Sequence, residues 1–218
     1  MSASLLPQHR ILDAEQAERM FAVSADVGYP YRDFAREQEV RLYDTGLTVD
    51  GDLAWEPPPG IDWNPCNVIV AGNLTVGGDL SWSSYGGGCF LLVTGDLRAR
   101  NVFVAGEPNV VVRGDLTTSN GIFGHDNYGT LVVCGRTTAR IVINTSGFSM
   151  VFAEEPEAFV MGHPNRQNFA SDIDDELELE DVLATDLLDH GGANFAAIRA
   201  ALAAGRSILR PGISSDAS

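Results

Sequence analysis

The sequence predicts a mainly β fold: a short single-stranded parallel β-helix, or β-solenoid, of about five coils with helical N- and C-terminal caps. Three observations lead there. A short phrase of alternating apolar residues, closed by glycine, a short polar residue and leucine, recurs along the middle of the chain. Its copies follow at intervals of 21, 23, 19 and 21 residues, measured on Gly51, Gly72, Gly95, Gly114 and Gly135. The flanking segments lack the phrase and carry helical patterning instead. Three parts result: an N-terminal helical cap at 1–46, the solenoid at 47–150, and an acidic C-terminal helical region at 151–218.

The copies read Leu-Thr-Val-Asp-Gly-Asp-Leu at Leu47 to Leu53 and Val-Ile-Val-Ala-Gly-Asn-Leu at Val68 to Leu74. Leu-Leu-Val-Thr-Gly-Asp-Leu follows at Leu91 to Leu97, and Val-Val-Val-Arg-Gly-Asp-Leu at Val110 to Leu116. A worn copy, Leu-Val-Val-Cys-Gly-Arg-Thr, sits at Leu131 to Thr137, and an extra one, Leu-Thr-Val-Gly-Gly-Asp-Leu, begins at Leu74. Alternation suits a strand with one buried face. Glycine beside Asp or Asn suits a tight corner with unusual backbone angles. A further short strand fits Asn101 to Val104 and Arg140 to Ile143. Three strands and three corners make one coil, and a lone coil cannot bury its apolar side without neighbours.

The residues after the glycines, Asp52, Asn73, Asp96, Asp115 and Arg136, are expected to stack in one column. Two readings stand for it: a cation-binding ladder, or side chains that bond backbone N–H groups at their own corners, which is the simpler.

In the N-terminal segment, Asp13 and Gln16 resemble a capping pair, and Ile11, Leu12, Ala17, Met20 and Phe21 supply an apolar side. Tyr29, Pro30 and Tyr31 mark a turn, and a second helix fits Asp33 to Arg41. This segment is expected to close the first coil. Residues 151–218 hold 13 acidic residues against 4 arginines. The acidic run Asp172, Asp174, Asp175, Glu176, Glu178, Glu180 and Asp181 leads into an amphipathic helix carrying Leu177, Leu179, Val182, Leu183, Leu187 and Leu188. A last helix spans about Ala193 to Ala204, with Phe195, Ile198 and Leu202 as its apolar stripe and Gly205 as its stop.

Charge and composition narrow the chemistry. The 218 residues include 30 acidic and 14 basic ones, a net charge of -16, and no lysine. Lysine Schiff-base chemistry and a phosphate-binding loop ending in lysine are excluded. Such a charge disfavours direct contact with nucleic acid or an anionic membrane, and a basic protein is its complement. No run approaches the roughly 18 apolar residues of a membrane span, and no export signal is evident, so a cytoplasmic location is expected. Cys66, Cys89 and Cys134 lack metal or disulfide spacing and read as buried thiols.

The four histidines, His9, His125, His163 and His190, show no helical metal spacing. His125-Asp126 falls in a Gly-rich insert expected to protrude as a corner loop, either as a catalytic pair or as a solvated loop. Trp55, Trp63 and Trp82 read as core packing or as partner anchors. The uneven intervals do not match the strict period of hexapeptide acyltransferases. No cofactor and no enzymatic activity are expected.

At the repeated Val-x-Val-x-Gly-Asp-Leu phrases the chain resembles the bactofilins, polymer-forming cytoskeletal proteins, over about residues 47–150. That resemblance implies a short parallel β-helix of stacked Val, Leu and Ile coils, and a structural subunit that polymerises through its ends. The coils here are longer and less even, and the helical flanks are larger than the short tails of that family. The layout, a short solenoid with an acidic helical tail, is also similar to immunity proteins of interbacterial toxins. That similarity implies an antitoxin that binds and occludes a cognate basic toxin, of nuclease type. The run Asp172, Asp174, Asp175, Glu176, Glu178, Glu180 and Asp181 is the expected contact patch. Its plain counterpart is a helix face that only solubilises.

Overall fold

The computed structural model describes residues 8–27, 39–55, 67–84, 89–125, 128–145, 148–162, 178–190, 192–211 and 213. It is mainly β, a stack of parallel strands wound as a solenoid with helices towards the chain ends. Three walls make each coil. Wall one stacks β2 (Val40–Tyr43), β5 (Asn67–Val70), β8 (Phe90–Val93), β10 (Asn109–Val112), β12 (Thr130–Val133) and β14 (Ser149–Phe152), all parallel. Wall two begins with β3 (Leu47–Val49) on β6 (Leu74–Val76), and wall three with β4 (Leu53–Trp55) on β7 (Asp79–Ser84). In later coils a single bent strand serves both walls: β9 (Leu97–Gly106), β11 (Leu116–His125), β13 (Thr137–Asn144) and β15 (Glu157–Gly162). The parallel ladder thus runs from Val40 to Gly162.

Strand alternation sends one set of side chains inward. On wall one the columns Val68, Leu91, Val110, Leu131, Met150 and Val70, Val93, Val112, Val133, Phe152 are buried, and from walls two and three Leu74, Leu97, Leu116, Leu80, Val102, Ile122 and Val142 meet them. The first coil differs. Arg41 is in register with Val68 at the foot of the first column, and its guanidinium lies 5.2 Å from the centre of the Trp55 ring. Terminal coils of a stack are commonly atypical in this way.

Both flanks pack along the sides of the stack. β1 (Arg10–Leu12) pairs antiparallel with β2 at the edge of wall one, so this segment does meet the first coil. Helix α1 (Ala14–Phe21) starts at the expected cap: the Asp13 carboxylate accepts the Gln16 N–H at 2.7 Å, and the Gln16 side chain accepts the Asp13 N–H at 3.1 Å. Leu12, Ala17 and, from α2 (Val23–Val27), Val23 cover the outer side of wall one at Leu42, Ile69, Leu92 and Val111. The tie is electrostatic as well. Arg113 donates to Asp26 at 2.7 and 3.1 Å and to the Phe21 carbonyl.

The C-terminal region lies on the outer side of wall three. Helix α3 (Leu179–Val182), a 3-10 turn (Thr185–Leu187), a small hairpin of β16 (Leu188–Asp189) and β17 (Gly192–Ala193), and helix α4 (Phe195–Ala203) follow one another. Val182, Leu183, Leu187 and Ile198 bury against Phe103, Phe123, Ile143 and Met161. The amphipathic helix expected through Leu188 is corrected: Leu179, Val182, Leu183, Leu187 and Leu188 pack on the wall, but through short pieces rather than one cylinder, and Leu177 lies outside the described residues. Helix α4 is as expected, capped by Asn194 and stopped at Gly205, whose φ of +69° suits only glycine comfortably. Of the helix expected from Asp33 to Arg41, Val40 and Arg41 are strand and Glu39 is not helical; the rest of it, with Tyr29, Pro30 and Tyr31, lies outside the described residues.

Candidate partner-binding surface

The corner between walls one and two carries the motif that the repeat announced. Asn73 Oδ1 accepts the N–H of Asp96 at 2.9 Å, Asp96 Oδ1 that of Asp115 at 3.0 Å, and Asp115 Oδ1 that of Arg136 at 2.9 Å. Each side chain therefore fastens the backbone of the next coil. The glycines before them are needed for room. A Cβ on Gly114 would sit 2.4 Å from Asp96 Oδ1 and 2.6 Å from the Gly95 carbonyl carbon, and Gly95 and Gly135 are as crowded. Of the four, Gly72 alone has a positive φ, 132°. Close stacking, not unusual backbone angles, selects glycine at the other three.

Asp52 is not in this column, which corrects the expected line of five. Leu47 pairs with Leu74 and Leu53 with Leu80, so the first phrase matches the extra copy at the next bend. Asp52 Oδ1 accepts the N–H of Asp79 at 2.8 Å there. Asp79 in turn is nearly buried and accepts from Arg100 Nε and Asn101 Nδ2, each at 2.8 Å. That pairing holds the Arg100 guanidinium above its ordinary range. The carboxylates of both bends are thus engaged by N–H groups, as in the simpler reading, but the backbone donors belong to the next coil rather than to each residue's own corner. No group of three metal-ligating side chains is assembled among the described residues.

Walls one and three are covered on their outer sides, whereas wall two presents a polar outer column: Thr48, Thr75, Arg98 and Thr117 are exposed. Beside it stand Asn73 and Asp115, also exposed.

Of the residues expected to meet a partner, Glu178, Glu180 and Asp181 are described and exposed. They line the outer side of α3, and Asp181 accepts the Glu178 N–H at 3.3 Å. Leu179 and Val182 of the same turn pack on the wall-three cluster. Asp172, Asp174, Asp175 and Glu176 lie outside the described residues.

Other candidates take definite places. His125 closes β11, its ring stacked on Phe195 at 4.7 Å with Nδ1 3.4 Å from Thr145 Oγ1. The insert before it is not a protruding loop: Gly121 to Gly124 are buried strand in wall three. Asp126 lies outside the described residues. Trp82 is buried core, with Trp55 5.8 Å away, and Trp63 is not described. Cys89 is buried, but Cys134 is exposed, contrary to expectation, because its corner position points it outward beside α2. Burial, then the Asp26 carboxylate, push its thiol up, and Arg113 pulls it back. The Arg113–Asp26 clamp was not foreseen, since two residues 87 apart share no local pattern. No described helix is long and apolar enough to cross a membrane.

Comparison with protein-family models, with curated proteins and with solved structures finds no match. The fold itself is a parallel β-solenoid with both flanks folded along its sides, a layout compatible with a bactofilin-like β-helix.

Proposed function

We propose that the chain is a binding protein of the immunity type, one that neutralises a cognate basic bacterial toxin by docking on it and occluding its active surface. A nuclease toxin suits this best, because a protein that grips phosphate is basic and a chain of net charge -16 is its complement. The observation that carries the reading is the setting of Glu178, Glu180 and Asp181. Their carboxylates face outward from a short helix whose apolar side is packed on wall three, so this end of the acidic run is held on a rigid support. The remaining carboxylates, Asp172, Asp174, Asp175 and Glu176, belong to the same proposed patch.

The test is co-purification from the native host with elution by salt, followed by the same binding measured for a variant with all seven carboxylates changed to Asn or Gln. The proposal expects weaker binding and a shallower salt dependence. Unchanged affinity and unchanged salt slope would leave the run as a solvated face only.

A second reading, a bactofilin-like subunit that polymerises through its ends, is favoured by β14 and β15. Among the described residues each has one strand neighbour, leaving an edge of the kind that recruits another strand. Arg41 weighs against it at the opposite end, since end-to-end stacking would bury a guanidinium beneath the apolar column. Light scattering and negative-stain microscopy decide: filaments that lengthen with concentration support this reading, and a stable monomer or dimer removes it.

A further inference from the structure

A cleft of about 420 Å³ opens where the bend between walls two and three meets the C-terminal hook after α4. Its floor is aliphatic, with Ile141, Ile208 and Ile213 among its lining, and its polar side chains are Asn120, Arg140, Arg206 and Ser207. No carboxylate is among the described residues that line it, in a chain with about two acidic residues for every arginine.

Arg140 stands out against its own column. Asn101, Gly121 and Ile141 are in register, so the residues before them, Arg100, Asn120 and Arg140, follow one another up the same bend. At the lower position Arg100 is neutralised by Asp79 at 2.8 Å and approached by Asp52 at 3.4 Å. At the upper position Arg140 is exposed and makes no ion pair among the described residues. Across the cleft, Arg206 holds Asp186 at 2.8 Å through one Nη. A guanidinium has five N–H donors, so that contact does not exhaust it.

We propose that this cleft binds a small organic anion, with a carboxylate or phosphate head held at Arg140 and Arg206 and a short aliphatic body laid on the isoleucine floor. The planar fork of arginine grips two oxygens of either head at once. The volume falls within the roughly 300–1,000 Å³ range of small-molecule sites, and polar and aliphatic side chains share the lining. The proposal is separate from partner binding by the acidic run and involves none of its residues.

The test uses the intact chain and three six-carbon probes: hexanoate, hexyl phosphate and the neutral hexanamide. Binding is followed by calorimetry and by the methyl resonances of Ile141, Ile208 and Ile213. The expected result is perturbation of those methyls by at least one anion, with hexanamide and the Arg140→Gln variant each weakening binding about tenfold or more. The tighter of the two anions names the head group, and Arg140→Lys is expected to recover part of the loss. Equal binding of hexanamide, full affinity in Arg140→Gln, or no perturbation by either anion would overturn the proposal. Arg140 is exposed, so a melting curve matching the parent is expected for both variants.

Discussion

The Asp96 carboxylate accepts the backbone N–H of Asp115, nineteen positions further on, at 3.0 Å, and the glycine before Asp115 leaves the space in which that carboxylate lies. Glycine and aspartate are therefore one device shared by two consecutive coils. The device stops where its acceptor does: Arg136 carries no carboxylate, and in the coil above it Glu154 stands in place of glycine.

Two glycines that look alike in the repeat should respond differently to alanine. Gly114→Ala brings a Cβ into backbone as well as side chain and should cost about 1–3 kcal/mol. Gly51→Ala meets nothing within 4 Å and should change stability by less than about 0.5 kcal/mol. Urea unfolding of the two variants checks this, and equal losses would contradict the stacking account.

At the acceptor, the natural Asn73 shows that an amide oxygen serves as well as a carboxylate. Asp96→Asn should therefore stay close to the parent, while Asp96→Ala should lose about 1–2 kcal/mol for the missing acceptor. The midpoint in urea would distinguish them, and an asparagine variant as weak as the alanine one would argue for charge rather than geometry.

Cys134 should alkylate with a midpoint above the roughly 8.5 of a free thiol, because burial and Asp26 both disfavour its thiolate. In Asp26→Asn the midpoint should fall, since the like charge is gone and any loosening of α2 adds water. A pH–rate profile with iodoacetamide measures it; a midpoint that rises would reverse the assignment.

Arg10 and Asp44 tie β1 to the first corner through two hydrogen bonds of 2.6 and 2.7 Å. The hydrogen bond from Arg10 holds the Asp44 carboxyl below its ordinary value. A depressed folded pKa contributes stability above the unfolded value of about 3.9, and that contribution is lost as pH falls through the folded value. Amide exchange in β1 should therefore quicken in acid relative to the solenoid interior. Asp44→Asn should remove that extra acid sensitivity, and a variant with the parent's pH profile would assign it elsewhere.

The solenoid was legible because the interior demands the same side chains at every level, so the columns write themselves into the chain as a repeat. Gly72, Gly95, Gly114 and Gly135 were aligned correctly on that basis. Gly51 was not, because Leu-Thr-Val-x-Gly-Asp-Leu satisfies two successive bends equally well: Asp52 meets Asp79, 27 positions on, at the other one. The last coil went unread because Ala153 and Glu154 replace the glycine phrase once Arg136 ends the ladder. The insert before His125 looks like a protruding loop in sequence because it is rich in glycine, yet it is buried strand. Gly121 and Gly124 are instead small residues under Phe123, Phe148 and Met150. Among candidate contact residues, charge made the acidic run visible, whereas the Arg140 cleft arises only when a bend and a distant hook converge.

The N-terminal flank is anchored at two heights of one corner column, at Asp44 in the first coil and at Arg113 three coils later. It acts as a splint of fixed reach, spanning about 14 Å of stack at roughly 4.8 Å per coil. A duplication or loss of one coil between those anchors would carry Arg113 away from Asp26 by a full strand spacing. Growth or shrinkage of the ribbon is thereby confined to the levels beyond Arg113, where no described residue of this flank gauges its length.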